Sequence, residues 1–144
     1  MSTIHTVTAS IAGTPYQVSL SDGGHHWLAD EPTEVGGGDS APAPMELLLS
    51  SLGACTAITL IMYAQRKKWP LTGLQVHLDM VVAADGTDIT RVITLEGELD
   101  AEARERLLQI AKACPVHKLL SNPIRIVSGL AKAGESTLEH VPAL

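Results

Sequence analysis

The stretch PMELLLSSLGACTAITLIMYAQRKK, residues 44–68, decides how this chain folds. Pro44 suits the first position of a helix, and Glu46 then lies in the first turn, where a negative charge interacts favourably with the helix dipole. Trp69 ends the pattern, because Pro70 disfavours helical backbone in the residue before it. The sequence therefore predicts a single long helix over this stretch.

This predicted helix is apolar on nearly every face, and such a helix must be covered on all sides. A chain of 144 residues with few helices offers too little surface to cover it, so we expect a second subunit. Residues 47–65 are uncharged and long enough to cross a membrane. Their serine, threonine and glycine content argues against a membrane span, which we do not expect.

Composition limits the function classes. The net charge is −6 at pH 7, and the one basic run, residues 66–68, lies at a helix end, so nucleic-acid binding is not expected. The first residues lack the basic start of a signal peptide, and we expect a cytoplasmic protein of one domain, residues 1–144. In the cytosol, paired cysteines are more often catalytic or redox-sensing than structural.

Alternation of apolar and polar residues between turn signals predicts strands at residues 4–11, 15–20, 25–29, 74–82 and 93–99. The pair Asp85-Gly86 is typical of the turn of a hairpin, here joining the last two of these strands. Asp100 is suited to cap a second helix over residues 101–113, and residues 124–127 are predicted to form a final strand. The order β-β-β-α-β-β-α-β indicates an α+β fold.

The chain has two cysteines, Cys55 and Cys114. Cys114 precedes Pro115 and is predicted to cap a short helical turn, a position that lowers the pKa of a thiol. His117 is expected either to face Cys114 across that turn or to be an ordinary hydrogen-bonded histidine. Cys55 lies in the middle of the long helix and needs a side-chain partner to become reactive. The two cysteines are therefore either a thiol redox pair or two small buried side chains.

The segments Pro44 to Thr56 and Cys114-Pro115-Val116 resemble the OsmC/Ohr family, and the resemblance extends over most of the chain. It implies an intertwined homodimer in which two sheets wrap the long helices, with two active sites at the interface. It also implies a peroxidase that reduces organic hydroperoxides without a cofactor in an oxidative stress response. Cys55 matches the peroxidatic cysteine and Cys114 the resolving cysteine, whose disulfide is then reduced by an external dithiol.

The supporting residues of that family match less well. Its peroxidases pair a glutamate early in this helix with an arginine from the N-terminal strands, and the glutamate position corresponds here to Met45. Glu46 is the next residue, and helix geometry places it about 180° from Cys55. No arginine precedes Arg66. We therefore expect another polar group to assist Cys55, with Gln17, His25 or His26 as the candidates.

Two hypotheses of function remain open at this level. The first is the thiol peroxidase, and the second is a non-enzymatic dimer on the same scaffold that senses redox state or binds a small molecule. A metal site is not expected, because apart from the adjacent His25-His26 no two of the cysteines and histidines show the spacing of a zinc site.

Overall fold

The computed structural model describes residues 2–134. Its elements, in chain order, are β1 (Thr8–Ile11), β2 (Val18–Ser21), β3 (His26–Ala29), a short 3-10 turn (Thr33–Val35), α1 (Pro44–Lys67), β4 (Gly73–Ala83), β5 (Gly86–Glu96), α2 (Ala101–Ala111) and α3 (Pro115–Leu120). The predicted α+β class is confirmed.

The strands form two antiparallel sheets. The first has the order β1-β2-β3, and the second is the long hairpin β4-β5. In the hairpin Ala83 pairs with Gly86, so the turn is at the predicted place. Along β4 and β5 half-buried and exposed residues alternate, so one face of this sheet is covered and the other is open. The covered face lies against α1, which connects the two sheets in sequence.

Helix α1 begins and ends within one residue of the predicted bounds. Pro44 is at its first position, and Lys68 ends it in the left-handed conformation with φ 56°. The amide of Trp69 donates to the carbonyl of Ala64 at 2.9 Å, which satisfies one of the last free carbonyls of the helix. The two termini therefore form as their local sequence dictates.

A stripe along α1 carries the core of the protein. Its buried residues, spaced four apart, are Leu52, Thr56, Leu60 and Ala64. Leu60 and Ala64 form the central cluster with Leu107 and Ala111 of α2. Helix α2 begins as predicted at Asp100, whose Oδ1 accepts a hydrogen bond from the amide of Ala103 at 2.7 Å.

The expectation that α1 is covered on all sides is not met within one chain. Ile58 is 60% exposed and Met62 is 57% exposed, both on the face opposite the buried stripe. By length and composition alone, α1 is also apolar enough to cross a membrane, as the core helix of a folded domain can be. The core of one chain covers a single face of this helix.

The predicted last strand, residues 124–127, is wrong for the single chain, because no regular element follows α3 among residues 2–134. Ile126 is 81% exposed, and a strand needs a neighbour to satisfy its backbone groups. The return strand predicted to reach Leu99 ends at Glu96 instead, because Gly97 has φ 130°. Predicted strand 4–11 is also shorter, since its pairing with β2 begins at Thr8.

The loop between β3 and α1 is held by one buried carboxylate. Asp30 accepts hydrogen bonds from the amide of Glu31 at 2.8 Å and from the amide and hydroxyl of Ser40 at 3.1 and 2.6 Å. These hydrogen bonds lower the pKa of Asp30 to about 2, and the bond from the Ser40 hydroxyl has the largest effect. A side chain at Gly37 would overlap the carbonyl of Glu31, so this loop also requires a glycine.

Candidate active site

The fold brings the two cysteines together from distant parts of the chain. Cys55 is half-buried on α1, and Cys114 is fully buried at the N-cap of α3, as predicted. Helix α3 packs on α1, so that the two side chains interact although 59 positions separate them. Both are free thiols. The arrangement of a thiol pair is therefore present in one chain.

The pKa of Cys114 is lowered. Burial alone would raise it, but the Cys55 thiol and the amides of His117 and Val116 favour the thiolate and outweigh burial. Hydrogen bonds to the charged form of a group favour that form. Of the two thiols, Cys114 is therefore the one whose surroundings favour the thiolate.

The pKa of Cys55 is raised, first by burial and then by its hydrogen bond to Cys114. The amide of Val116 and the hydroxyl of Thr59 act in the opposite direction without reversing the shift. The two opposite shifts are consistent with each other. A thiol that donates a hydrogen bond to a neighbouring sulfur is harder to deprotonate, while the sulfur that accepts the bond is easier to deprotonate.

Arg91 is a site residue that the sequence pattern did not single out. It lies on β5 with its side chain on the covered face, between the half-buried Ile89 and Ile93. Its Nη1 donates to Oγ1 of Thr56 at 3.1 Å, and Thr56 directly follows Cys55 in α1. The signal in the sequence was a cation at an inward position of an alternating strand, where an apolar residue is expected.

His117 lies at the same place and contacts Arg91. Its Nδ1 is 3.1 Å from Nη2 of Arg91, so the ring is directed toward β5. The pKa of His117 is lowered, mainly by burial and to a smaller extent by the positive charges of Arg91 and Lys112. The side chain is therefore the hydrogen-bonded histidine of the second expectation.

The other predicted partners of Cys55 make contacts elsewhere. Gln17 donates to the hydroxyl of Ser40 at 2.9 Å, and His25 pairs with Asp22 at 2.9 Å in an exposed turn. Glu46 is exposed in the first turn of α1. Within residues 2–134, the groups that act on the thiols come from α1 and α3, and Arg91 of β5 contacts Thr56 and His117.

A groove of about 240 Å³ lies beside Arg91 and His117, and neither cysteine lines it. Its other lining residues are Leu52, Thr87, Ile89, Leu120 and Ser121. A concave apolar surface with a few convergent polar groups is the usual form of a small-molecule site. Gly53 has a different role, because an added Cβ there would lie 3.0 Å from Leu78 of β4, so it allows the sheet to approach α1 closely.

Residues that could hold a metal ion do not cluster in the described part of the chain. No group of three or more histidine, cysteine, aspartate or glutamate side chains is found together between residues 2 and 134. The chemistry that the site offers is that of two interacting thiols, a guanidinium and hydroxyl groups.

Comparison with known proteins places these features in a family. The family model for OsmC-like protein matches residues 36–128, more than half of the chain. The matched range includes both cysteines and Arg91. No curated protein matches the chain.

Solved structures share the fold at low identity. A putative osmotic stress induced and detoxification response protein from Psychrobacter arcticus 273-4 is 23% identical, with a TM-score of 0.69 over 83% of this chain and 90% of that one. An organic hydroperoxide resistance protein OsmC from Legionella pneumophila is 21% identical, with a TM-score of 0.59 over 83% and 91%. The organic hydroperoxide resistance protein OhrB of Bacillus subtilis is 21% identical, with a TM-score of 0.58 over 81% and 90%.

Proposed function

The chain belongs to the OsmC-like protein family, and we propose on that premise that it is a thiol-dependent peroxidase that reduces organic hydroperoxides. The observation that carries this proposal is the interaction of Cys55 with Cys114. Two structures with the same fold are named for organic hydroperoxide resistance, which supports this class of substrate.

The first step is the oxidation of Cys55. Of the two thiols, Cys55 is the one that keeps part of its surface accessible, whereas Cys114 is fully buried. The Cys114 thiolate takes the proton of Cys55, and the Cys55 thiolate attacks the outer oxygen of the hydroperoxide. The O–O bond breaks, Cys55 becomes a sulfenic acid, and the departing alkoxide takes a proton to leave as the alcohol.

The second step forms a disulfide. With its proton passed to the alkoxide, the Cys114 thiolate attacks the sulfur of the sulfenic acid and expels hydroxide. The peroxide has then gained two electrons and the two cysteines have lost two. An external dithiol restores the thiols through two exchange reactions, so the cycle requires no cofactor.

We propose further that the active form is a homodimer in the cytoplasm. The exposed side chains of Ile58 and Met62 make the uncovered face of α1 apolar, which is unfavourable in water. A second copy of the chain that packs its own α1 there would cover both faces at once. Twofold contacts of this kind, in which the same patch meets itself, are the commonest in soluble oligomers.

The raised pKa of Cys55 favours one alternative, a non-enzymatic dimer that senses redox state or binds a small molecule. A thiol that is mostly protonated reacts slowly with peroxide, because the thiolate is the nucleophile. A sensor would still form the disulfide between Cys55 and Cys114, but it would not turn over in the presence of dithiol.

The test uses cumene hydroperoxide, a dithiol and two single variants. Cys55→Ser is expected to abolish peroxide consumption and the trapping of sulfenic acid. Cys114→Ser is expected to permit one oxidation of Cys55 and then stop, without a disulfide. Labelling of Cys114 in Cys55→Ser at the wild-type rate would reverse the two roles. A wild-type protein that forms the disulfide but does not consume peroxide catalytically would support the sensor.

A further inference from the structure

The groove beside Arg91 is small, and most of its wall is apolar. Its volume is about 240 Å³, and it lies between β5, α3 and the first half of α1. Leu52 is 4% exposed, and Ile89 and Leu120 are half-buried, so the apolar part of the wall is shielded from water. Pockets for drug-sized ligands usually measure about 300–1,000 Å³, so a ligand that fits this groove must be short.

Arg91 brings a permanent positive charge to the groove, and in the described part of the chain that charge has no acidic partner. Its Nη1 donates to Oγ1 of Thr56 and its Nη2 donates to Nδ1 of His117, both at 3.1 Å. The ion pairs of residues 2–134 join other side chains. A guanidinium has five N–H donors, so three are left beyond these two hydrogen bonds. A cation partly removed from water is stabilised when an anion lies beside it.

The charge is at the inner end of the groove. Thr87, Ile89 and Arg91 share one face of β5, because alternate residues of a strand point to the same side. Four residues of a strand span about 13 Å, so Thr87 and Arg91 lie at opposite ends of the groove. Thr87 and Ser121 are exposed, whereas Arg91 contacts the fully buried Thr56. A ligand therefore meets hydroxyl groups at the mouth, an apolar wall next and the guanidinium last.

We propose that this groove binds a short aliphatic carboxylate, with the carboxylate on the guanidinium of Arg91 and the alkyl chain along Ile89 and Leu120. A planar guanidinium matches the two oxygens of a carboxylate, which accept parallel hydrogen bonds from it. A phosphate ester would bring about two negative charges to a groove with one permanent cation in its lining. The proposal does not rest on the peroxidase proposal, because neither cysteine lines the groove.

The experiment follows the amide NMR signals of the 15N-labelled protein during titration. The ligands are acetate, propanoate and butanoate, with butan-1-ol as the uncharged match to butanoate. The amides of Thr87 and Ser121 are expected to shift with butanoate, whereas that of Gln109 on α2 should not. The affinity should rise about fourfold for each added methylene that is buried. Butan-1-ol should bind at least about tenfold more weakly than butanoate. Equal affinity for the two would overturn the role of the charge.

The variants are Arg91→Met, Arg91→Lys and a control, Arg106→Met. The control removes the same charge from α2, where Arg106 contacts Tyr63 and Gln109. Arg91→Met is expected to bind butanoate at least about tenfold more weakly, and Arg106→Met should match the wild type. Arg91→Lys keeps the charge without the planar fork, so its affinity should lie between those of the wild type and Arg91→Met. An unchanged affinity for butanoate in Arg91→Met would refute the proposal.

Two further measurements keep the proposal testable. Chloride that shifts the same amides with the affinity of butanoate would mean a general anion site, which overturns the choice of a carboxylate. Should Arg91→Met not fold, Leu120→Ala replaces it and shortens the apolar wall. This variant is expected to retain its affinity for acetate and to lose most of the gain from the longer chains. An unchanged chain-length series in Leu120→Ala would contradict the placement of the alkyl chain.

Discussion

Nη2 of Arg91 on β5 donates a hydrogen bond to Nδ1 of His117 on α3 across 3.1 Å. The direction follows from chemistry, because a guanidinium carries donors and no acceptor. Nδ1 therefore holds a lone pair, and the imidazole is neutral with its proton on Nε2. The lowered pKa of His117 agrees with this state. The permanent positive charge beside the thiol pair thus comes from a strand residue and not from the histidine next to Cys114 in sequence.

Glu46 should contribute to the start of α1 and not to the chemistry. It is exposed in the first turn of the helix, where an acidic side chain is worth about 0.3–1 kcal/mol through the dipole. Glu46→Gln is expected to lower the free energy of unfolding by about that amount and to leave peroxide consumption nearly unchanged. Urea denaturation and turnover with cumene hydroperoxide measure the two effects.

The matched control for Glu46 is Glu102→Gln, which removes the acidic residue from the first turn of α2. The two variants should behave alike. A large loss of activity in Glu46→Gln alone would show that Glu46 reaches the thiols, for example through the arrangement of the two subunits.

A dimer is the expected form in solution. Light scattering at micromolar concentration should give about 30 kDa, twice the chain mass of 15.2 kDa. Ile58→Glu places a charge on the exposed apolar face of α1 and should weaken or abolish association, because burying an unpaired charge is costly. Thr94→Glu, on the open face of β5, is the control. A folded wild-type monomer at half the expected mass would contradict the prediction.

Asp30 should make the stability of the loop before α1 depend on pH. Its pKa in the folded protein is about 2, below the ordinary value of 3.8, so the folded state binds its proton less readily than the unfolded state. The stabilisation is present above about pH 4 and is lost as the pH falls toward 2. The urea midpoint should therefore fall across this range.

Asp30→Asn is expected to lower the urea midpoint at neutral pH and to reduce its decline in acid. The control is Asp39→Asn, an exposed position in the same loop. Asp39→Asn should retain the wild-type decline. An equal pH dependence in wild type and Asp30→Asn would show that the carboxylate does not organise this loop.

Features with local causes could be predicted from the sequence. The ends of α1 predicted from Pro44 and Pro70 agree with the structure to within one residue. Asp100 caps α2, and Cys114 occupies the N-cap of α3. Each depends on side chains within a few positions of the backbone that they affect. The local sequence is therefore sufficient to place Cys114 at the start of α3.

Features that join distant segments were decided by the tertiary structure. Arg91 is 35 positions from Thr56 and 26 from His117, and it meets them because the covered face of β5 lies against the buried side of α1. Residues 124–127 have strand-like sequence but pair with no strand among residues 2–134, so their pattern alone did not make a strand. The sequence determined the ends of α1, the start of α2 and the position of Cys114 at the start of α3, because those depend on local backbone energetics. Packing decided that Arg91 lies between Thr56 and His117, because that depends on which faces are buried together.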